Sequence, residues 1–88
     1  MKVIKRNGEV QNFDISKIET AIESAFKACG KDFPEELDQN LIHLFGMFDD
    51  DYTFKVEKLQ DIVETQLMYE KHFDVAKAYI LYREKHKD

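Results

Sequence analysis

The sequence predicts an α+β fold in which a small β-hairpin, or a three-stranded sheet, caps a four-helix bundle. An Asn7-Gly8 pair lies between two short segments that mix apolar and charged residues, which is typical of a hairpin over residues 1–13. Four later segments place apolar side chains at helical spacing. The length of 88 residues allows a single domain, residues 1–88, with one core.

The hairpin turn is expected to be of type I′, because asparagine and glycine both tolerate the positive φ that this turn requires. A helix follows over residues 14–30, where apolar side chains recur on one face. Either Asp14, or Ser16 together with Glu19, can satisfy its first backbone N–H groups. Gly30 lies where a left-handed C-terminal cap is expected.

The second helix is expected over residues 34–49. Pro34 suits its first turn, where the missing N–H of proline leaves no hydrogen bond unmade. Three adjacent aspartates, Asp49 to Asp51, are unfavourable at the negative end of a helix dipole, so the helix is expected to stop there. Residues 52–54 can form a short third strand.

The last two helices are expected over residues 56–70 and 73–87. Both keep apolar residues in helical register, and the second ends in a run of cations, which suits a helix C-terminus. Two strands cannot bury a core by themselves. The hairpin must therefore pack on the helices, and the junction between sheet and bundle is a place where a ligand could sit.

Charge and hydropathy exclude several classes of protein. The net charge of −5 argues against a general nucleic-acid binder, which would carry a basic surface. No apolar run is long enough to span a membrane or to form a signal peptide, so a cytoplasmic location is expected. Residues 1–17 nevertheless carry four basic and two acidic side chains. A local positive site in an acidic chain suits a small anion.

The sequence offers no catalytic or metal-binding pattern. Cys29 is the only cysteine, which excludes an internal disulfide and a Cys-x-x-Cys zinc site, and the three histidines lack ligand spacing. There is no P-loop, no Rossmann glycine motif and no nucleophile–histidine arrangement that spacing supports. We therefore expect no catalytic residue, no metal site and no enzymatic activity in this chain.

The Lys5-Arg6 pair beside the turn has two interpretations. Two cations at a tight turn can bind a polyphosphate, with the arginine providing a fork of donors and the lysine a point charge. Alternatively, they belong to a solvated edge strand, where lysine blocks aggregation. Lys17, one turn into the first helix, opposes the helix dipole, which favours an anionic partner but also suits an ordinary exposed lysine.

Two blocks of the sequence resemble the ATP-cone family. The opening block, residues 3–22, contains Val-Ile-Lys-Arg-Asn-Gly, then Phe-Asp, Lys-Ile and Ala-Ile. The closing block contains Leu-Gln-Asp-Ile-Val-Glu at residues 59–64 and Phe-Asp-Val-Ala-Lys-Ala-Tyr-Ile-Leu-Tyr-Arg at residues 73–83. The resemblance implies a regulatory domain of a ribonucleotide reductase, in which ATP or dATP, with Mg²⁺, binds between a β-sheet cap and four helices. It further implies that ATP favours the active enzyme and that dATP drives an inactive oligomer.

The resemblance also implies which residues contact the nucleotide. Those near the phosphates and ribose would be Lys5, Arg6, Lys17, Gln60 and Lys85, those facing the adenine would be Gln11 and Asp14, and those forming the walls of the base pocket would be Val3, Phe13 and Ile18. Arg83 is the alternative to Lys85. Gln60 stands where some relatives have histidine. The implied partners are adenine nucleotides, reductase subunits and, as a homo-oligomer, further copies of the chain.

Two other functions remain open at this point. The chain could be a protein-interaction module that binds no nucleotide, since a charged four-helix domain can simply dock to a partner. It could also be a transcriptional regulator related to the repressor of reductase genes, although it lacks the zinc ribbon of that repressor and is acidic.

Overall fold

The computed structural model describes residues 1–85, so the expected end of the last helix at residue 87 lies outside them. Over this range the chain forms a three-stranded sheet and four helices, which confirms the predicted α+β class. The elements in chain order are β1 (Lys2–Ile4), β2 (Val10–Asn12), α1 (Ile15–Ala28), α2 (Glu35–Gly46), β3 (Thr53–Lys55), α3 (Val56–Tyr69) and α4 (Phe73–Lys85).

The sheet has the order β2-β1-β3, with β1 antiparallel to β2 and parallel to β3. The central strand is therefore β1. Its pairing with β3 sets Ile4 opposite Lys55, the last residue before α3. The sheet thus holds the start of α3 beside the hairpin turn.

The hairpin turn is not of type I′. Gly8 alone has a positive φ in the turn, +87°, and Asn7 does not. The Gly8 N–H donates to the Lys5 carbonyl (2.9 Å), and the Lys5 N–H donates to the Glu9 carbonyl (2.8 Å). This is the pattern of a three-residue loop, in which a tight turn is followed by a left-handed glycine. Arg6 consequently lies in the turn itself and not in β1.

Helix α1 begins with the first of the two predicted caps. The Asp14 carboxylate accepts hydrogen bonds from the Ser16 N–H (3.0 Å) and the Ser16 hydroxyl (2.6 Å). Gly30 ends the helix in the left-handed conformation, with φ of +69°. Helix α2 ends at Gly46, before the three aspartates, and the Met47 N–H bonds the Leu44 carbonyl in a tightened last turn.

The core joins the sheet to the bundle. Helix α4 packs against α1 and α3, and the ring of Phe54 from β3 is 1% exposed. Its centroid lies 5.7 Å from that of Phe13 and 5.8 Å from that of Phe45. The side chains with less than 2% exposure are Ile22, Phe26, Leu37, Leu41, Phe45, Phe54, Val63, Leu67 and Val75.

Within residues 1–85 no helix is both long and apolar enough to cross a membrane.

Candidate functional site

A cavity of about 200 Å³ lies at the junction between sheet and bundle. We call it the cap cavity. Elements β1, β2, α1, α3 and α4 all contribute to it. Eight of the ten residues predicted to contact a nucleotide line it, namely Val3, Lys5, Gln11, Phe13, Asp14, Lys17, Ile18 and Gln60. Five further residues that were not predicted to contact a nucleotide also line it, namely Asn12, Ala21, Val56, Leu59 and Tyr79.

The cap cavity has an apolar wall and a polar rim. Val3, Phe13 and Ile18 come from a strand, a strand end and a helix, and all three pack on the core. Such a mixture of apolar walls and a few polar groups is typical of small-molecule sites. Tyr79 closes the cavity from α4 and is 5% exposed. Burial raises the pKa of Tyr79 to about 12, so it stays a neutral phenol at physiological pH.

Asp14 adds a fixed negative charge to the rim. The hydrogen bond from the Ser16 hydroxyl and then that from the Ser16 N–H hold the pKa of Asp14 below its ordinary value. The carboxylate is therefore ionised at neutral pH. A negative acceptor suits the amino group of a base and disfavours a phosphate, and the assignment of Asp14 to the adenine stays a prediction.

A second cavity, of about 280 Å³, lies between the hairpin turn and the start of α3. We call it the turn cavity. It shares Lys5 and Val56 with the cap cavity. Three cationic side chains line it, those of Lys5, Arg6 and Lys55, together with Ile4, Gly8, Val56 and Glu57.

Arg6 links the turn to α3. Its Nε donates to Glu57 Oε1 (2.9 Å), and its Nη2 donates a longer hydrogen bond to Gln60 Oε1 (3.4 Å). The Arg6 side chain is 23% exposed and that of Glu57 is 62% exposed. The edge-strand interpretation of the Lys5-Arg6 pair is wrong, because these residues follow the central strand of the sheet.

Lys85, the phosphate contact predicted at the end of α4, is not brought to either cavity. Lys85 is exposed and lines neither of them. It follows Tyr79 by six residues, or roughly 9 Å along a helix axis. Its alternative, Arg83, is ion-paired with Glu64 and, at 3.5 Å, with Asp61 of α3. The role of Lys85 stays a prediction.

A third cavity, of about 390 Å³, lies between α1 and α2 and has the wrong charge for a phosphate. Four carboxylates line it, those of Glu19, Glu23, Glu35 and Asp38. A hydrogen bond with Asp38 raises the pKa of Glu19, as expected for two carboxyl groups in contact. Among residues 1–85 no group of three or more His, Cys, Asp or Glu side chains could hold a metal ion.

Comparison with known proteins identifies relatives over nearly the whole chain. The chain is 38% identical to a ribonucleoside-diphosphate reductase subunit alpha of Chlamydia trachomatis serovar D, over 96% of this chain and 9% of the relative. It is 37% identical to a vitamin B12-dependent ribonucleoside-diphosphate reductase of Thermoplasma acidophilum, over 96% of this chain and 12% of the relative. The chain thus spans about a tenth of the length of these relatives.

The family model of the ATP cone domain matches residues 1–88. This match covers both blocks of sequence that carry the predicted resemblance. It also includes every residue that lines the cap cavity. The chain therefore belongs to the ATP cone family.

Proposed function

We propose that this chain binds ATP or dATP in the cap cavity and acts as an allosteric regulatory module, without catalytic activity, of a ribonucleotide reductase. One observation carries the proposal. Residues 3–18 and Gln60 are far apart in sequence, yet eight side chains assigned to the nucleotide through the family line one cavity. The relatives named as reductases support the choice of parent enzyme.

The cap cavity suits the base more than the whole nucleotide. Pockets that enclose drug-sized ligands range from about 300 to 1,000 Å³, so a cavity of about 200 Å³ is small for a nucleotide. We place the adenine between Val3, Phe13 and Ile18, with its polar edge toward Gln11 and Asp14. The sugar and phosphates then extend past Lys5 into the turn cavity.

The turn cavity is suited to phosphates. Lys5, Arg6 and Lys55 supply positive charge, and Lys17 lies at the rim of the adjoining cavity. Helix α3 starts at this cavity, and the positive end of its dipole would favour an anion bound there. In this proposal Mg²⁺ arrives with the phosphates that it neutralises.

Regulation requires that the two nucleotides stabilise different states. ATP and dATP differ by one hydroxyl, and a ligand shifts an equilibrium only through its differential affinity for the two states. Allosteric coupling of about 1–3 kcal/mol matches one or two hydrogen bonds. We assign the sensing of this hydroxyl to the neighbourhood of Gln60, whose side chain already bonds Arg6.

Millimolar ATP with Mg²⁺ is expected to raise the melting temperature of the chain. At 100 times its dissociation constant a ligand adds about 2.7 kcal/mol of stability, which corresponds to roughly 10–20 °C for a domain of this size. A thermal melt followed by circular dichroism measures it. GTP serves as the control and should give a smaller shift, because Gln11 and Asp14 are assigned to adenine. An unchanged melting temperature in saturating ATP and dATP would contradict the proposal.

We further expect dATP to increase self-association of the chain more than ATP does. The outer face of α4 supports an assembly role, because Phe73, Ile80 and Leu81 are 63%, 38% and 65% exposed. Sedimentation velocity at equal occupancy by ATP and by dATP measures the difference. Identical profiles in the two nucleotides would refute self-association as the output of the isolated chain.

The same exposed face favours a second candidate function, a protein-interaction module that acts without nucleotide. Helix α4 carries apolar side chains on both its buried and its outer sides, which is typical of a helix with a partner on each side. Binding to reductase subunits that is identical with and without ATP would favour this alternative.

A further inference from the structure

An ion pair between Arg6 and Glu57, two residues that line the turn cavity, joins the hairpin turn to α3. Arg6 occupies the turn, and its Nε lies 2.9 Å from Glu57 Oε1. The two residues are 51 positions apart in sequence, and the parallel pairing of β1 with β3 brings them together. Both line the turn cavity.

Glu57 places a carboxylate where a phosphate would be favourable. It lies in the first turn of α3, so its charge interacts favourably with the positive end of the helix dipole. It also accepts a charge-assisted hydrogen bond from a guanidinium, a group suited to bidentate binding of phosphate. A carboxylate and a phosphate group thus have the same two partners at this position.

The pair is strong enough to form and weak enough to exchange. Glu57 is 62% exposed, and ion pairs in such a setting contribute only about 0.2–1 kcal/mol. A polyphosphate carries more negative charge than one carboxylate and can displace it. In the placement proposed above, the first phosphate beyond the base would lie near Lys5, which lines both cavities, and later phosphates would reach Arg6, which lines the turn cavity.

We propose that Glu57 is a specificity-determining residue that competes with the outer phosphates of the ligand for Arg6. This inference rests on the proposed function, because it takes Arg6 as a phosphate contact. In the empty site Glu57 holds the guanidinium. A nucleoside monophosphate leaves the ion pair intact, whereas a triphosphate replaces it, so the carboxylate weakens the binding of longer phosphate chains most.

The variant Glu57→Gln tests the competition. It removes the charge but keeps an acceptor for Arg6. Titration calorimetry is expected to show about two- to fivefold tighter binding of ATP and a change of less than about twofold for AMP. Glu57→Ser, which also suits a helix start, should change the affinities in the same direction. Glu36→Gln on α2 is the matched control, since it changes the net charge equally and should leave both affinities unchanged.

The Arg6→Ala variant shows whether the change in ATP affinity caused by Glu57→Gln depends on Arg6. There, Glu57→Gln is expected to leave ATP affinity within about twofold. A persistent gain in that background would overturn the proposal in favour of direct charge repulsion. Unchanged or weaker ATP binding by Glu57→Gln, or an equal gain for AMP and ATP, would overturn it as well.

Inorganic tripolyphosphate separates this proposal from the proposed function, because it carries phosphates without a base. One outcome is that the unmodified chain does not bind ATP, while Glu57→Gln binds tripolyphosphate more tightly than the unmodified chain binds tripolyphosphate. In that case the competition stands and nucleotide binding fails. If the unmodified chain binds ATP and Glu57→Gln binds both ligands no more tightly, the competition fails alone. If neither chain binds either ligand, both proposals are refuted.

Discussion

Replacing Phe54 with alanine is expected to lower the free energy of unfolding by about 3–5 kcal/mol, the usual loss for a buried phenylalanine. The ring is 1% exposed. Its centroid lies 4.6 Å from that of Tyr52, 4.9 Å from that of Phe48 and 5.8 Å from that of Phe45. Because domains are stable by only about 5–15 kcal/mol, this substitution should remove a large part of the total.

Urea unfolding followed by circular dichroism measures the loss. Val10→Ala is the matched control, because Val10 belongs to the same sheet but is 57% exposed, so its substitution should change stability by less than about 0.5 kcal/mol. A loss below 1 kcal/mol for Phe54→Ala would show that the aromatic cluster does not hold the sheet on the bundle. If loss of the Phe54 ring loosens the sheet from the bundle, it should also disturb the cap cavity, because the neighbouring Phe13 forms part of the cavity wall.

The fold class could be predicted because each of its signals is local. The glycine of the turn, the cap at Asp14 and the apolar face of each helix depend on neighbours within a few residues. The predicted type I′ turn was wrong because an Asn-Gly pair also suits a three-residue hairpin loop. In the observed one the glycine alone takes the left-handed conformation, and Arg6 provides an extra loop residue.

The parallel pairing of β1 with β3 could not be predicted from sequence. It joins Lys2–Ile4 to Thr53–Lys55, three residues each, and strands this short carry too little alternation to set a register. This pairing brings Glu57 to Arg6. The contact between these two residues could therefore not be predicted from the sequence, although both residues line the turn cavity.

The cap cavity was predicted only in part. The eight residues placed there came from the family resemblance, since no local pattern distinguishes a cavity wall from a core position. Leu59 and Tyr79 show why. Each is a buried core residue of its helix that also lines the cavity. Helical periodicity shows on which side of the helix a residue lies, but not whether that side meets packed core or a cavity.

Substituting Lys5 with alanine is expected to weaken ATP binding about tenfold to a hundredfold, while stability changes by less than about 0.5 kcal/mol. Lys5 lines both cavities, so its ammonium group is suited to the phosphates of a ligand that spans them. Loss of a hydrogen bond to a charged group accounts for about 1.5–3 kcal/mol. The backbone groups of Lys5 hold the turn through Gly8 and Glu9, and alanine retains them. Calorimetric titration and urea unfolding measure the two effects.

Lys2→Ala is the matched control for this prediction. Lys2 lies in β1, the strand that Lys5 follows, and carries the same charge, but its Nζ bonds the Asn12 side chain and it lines neither cavity. Its loss should therefore change ATP affinity by less than about twofold. If both substitutions weaken binding equally, only the net charge of the cap matters. If Lys5→Ala unfolds the chain while the folded fraction binds ATP normally, Lys5 is structural, and the phosphates must be bound by other cations.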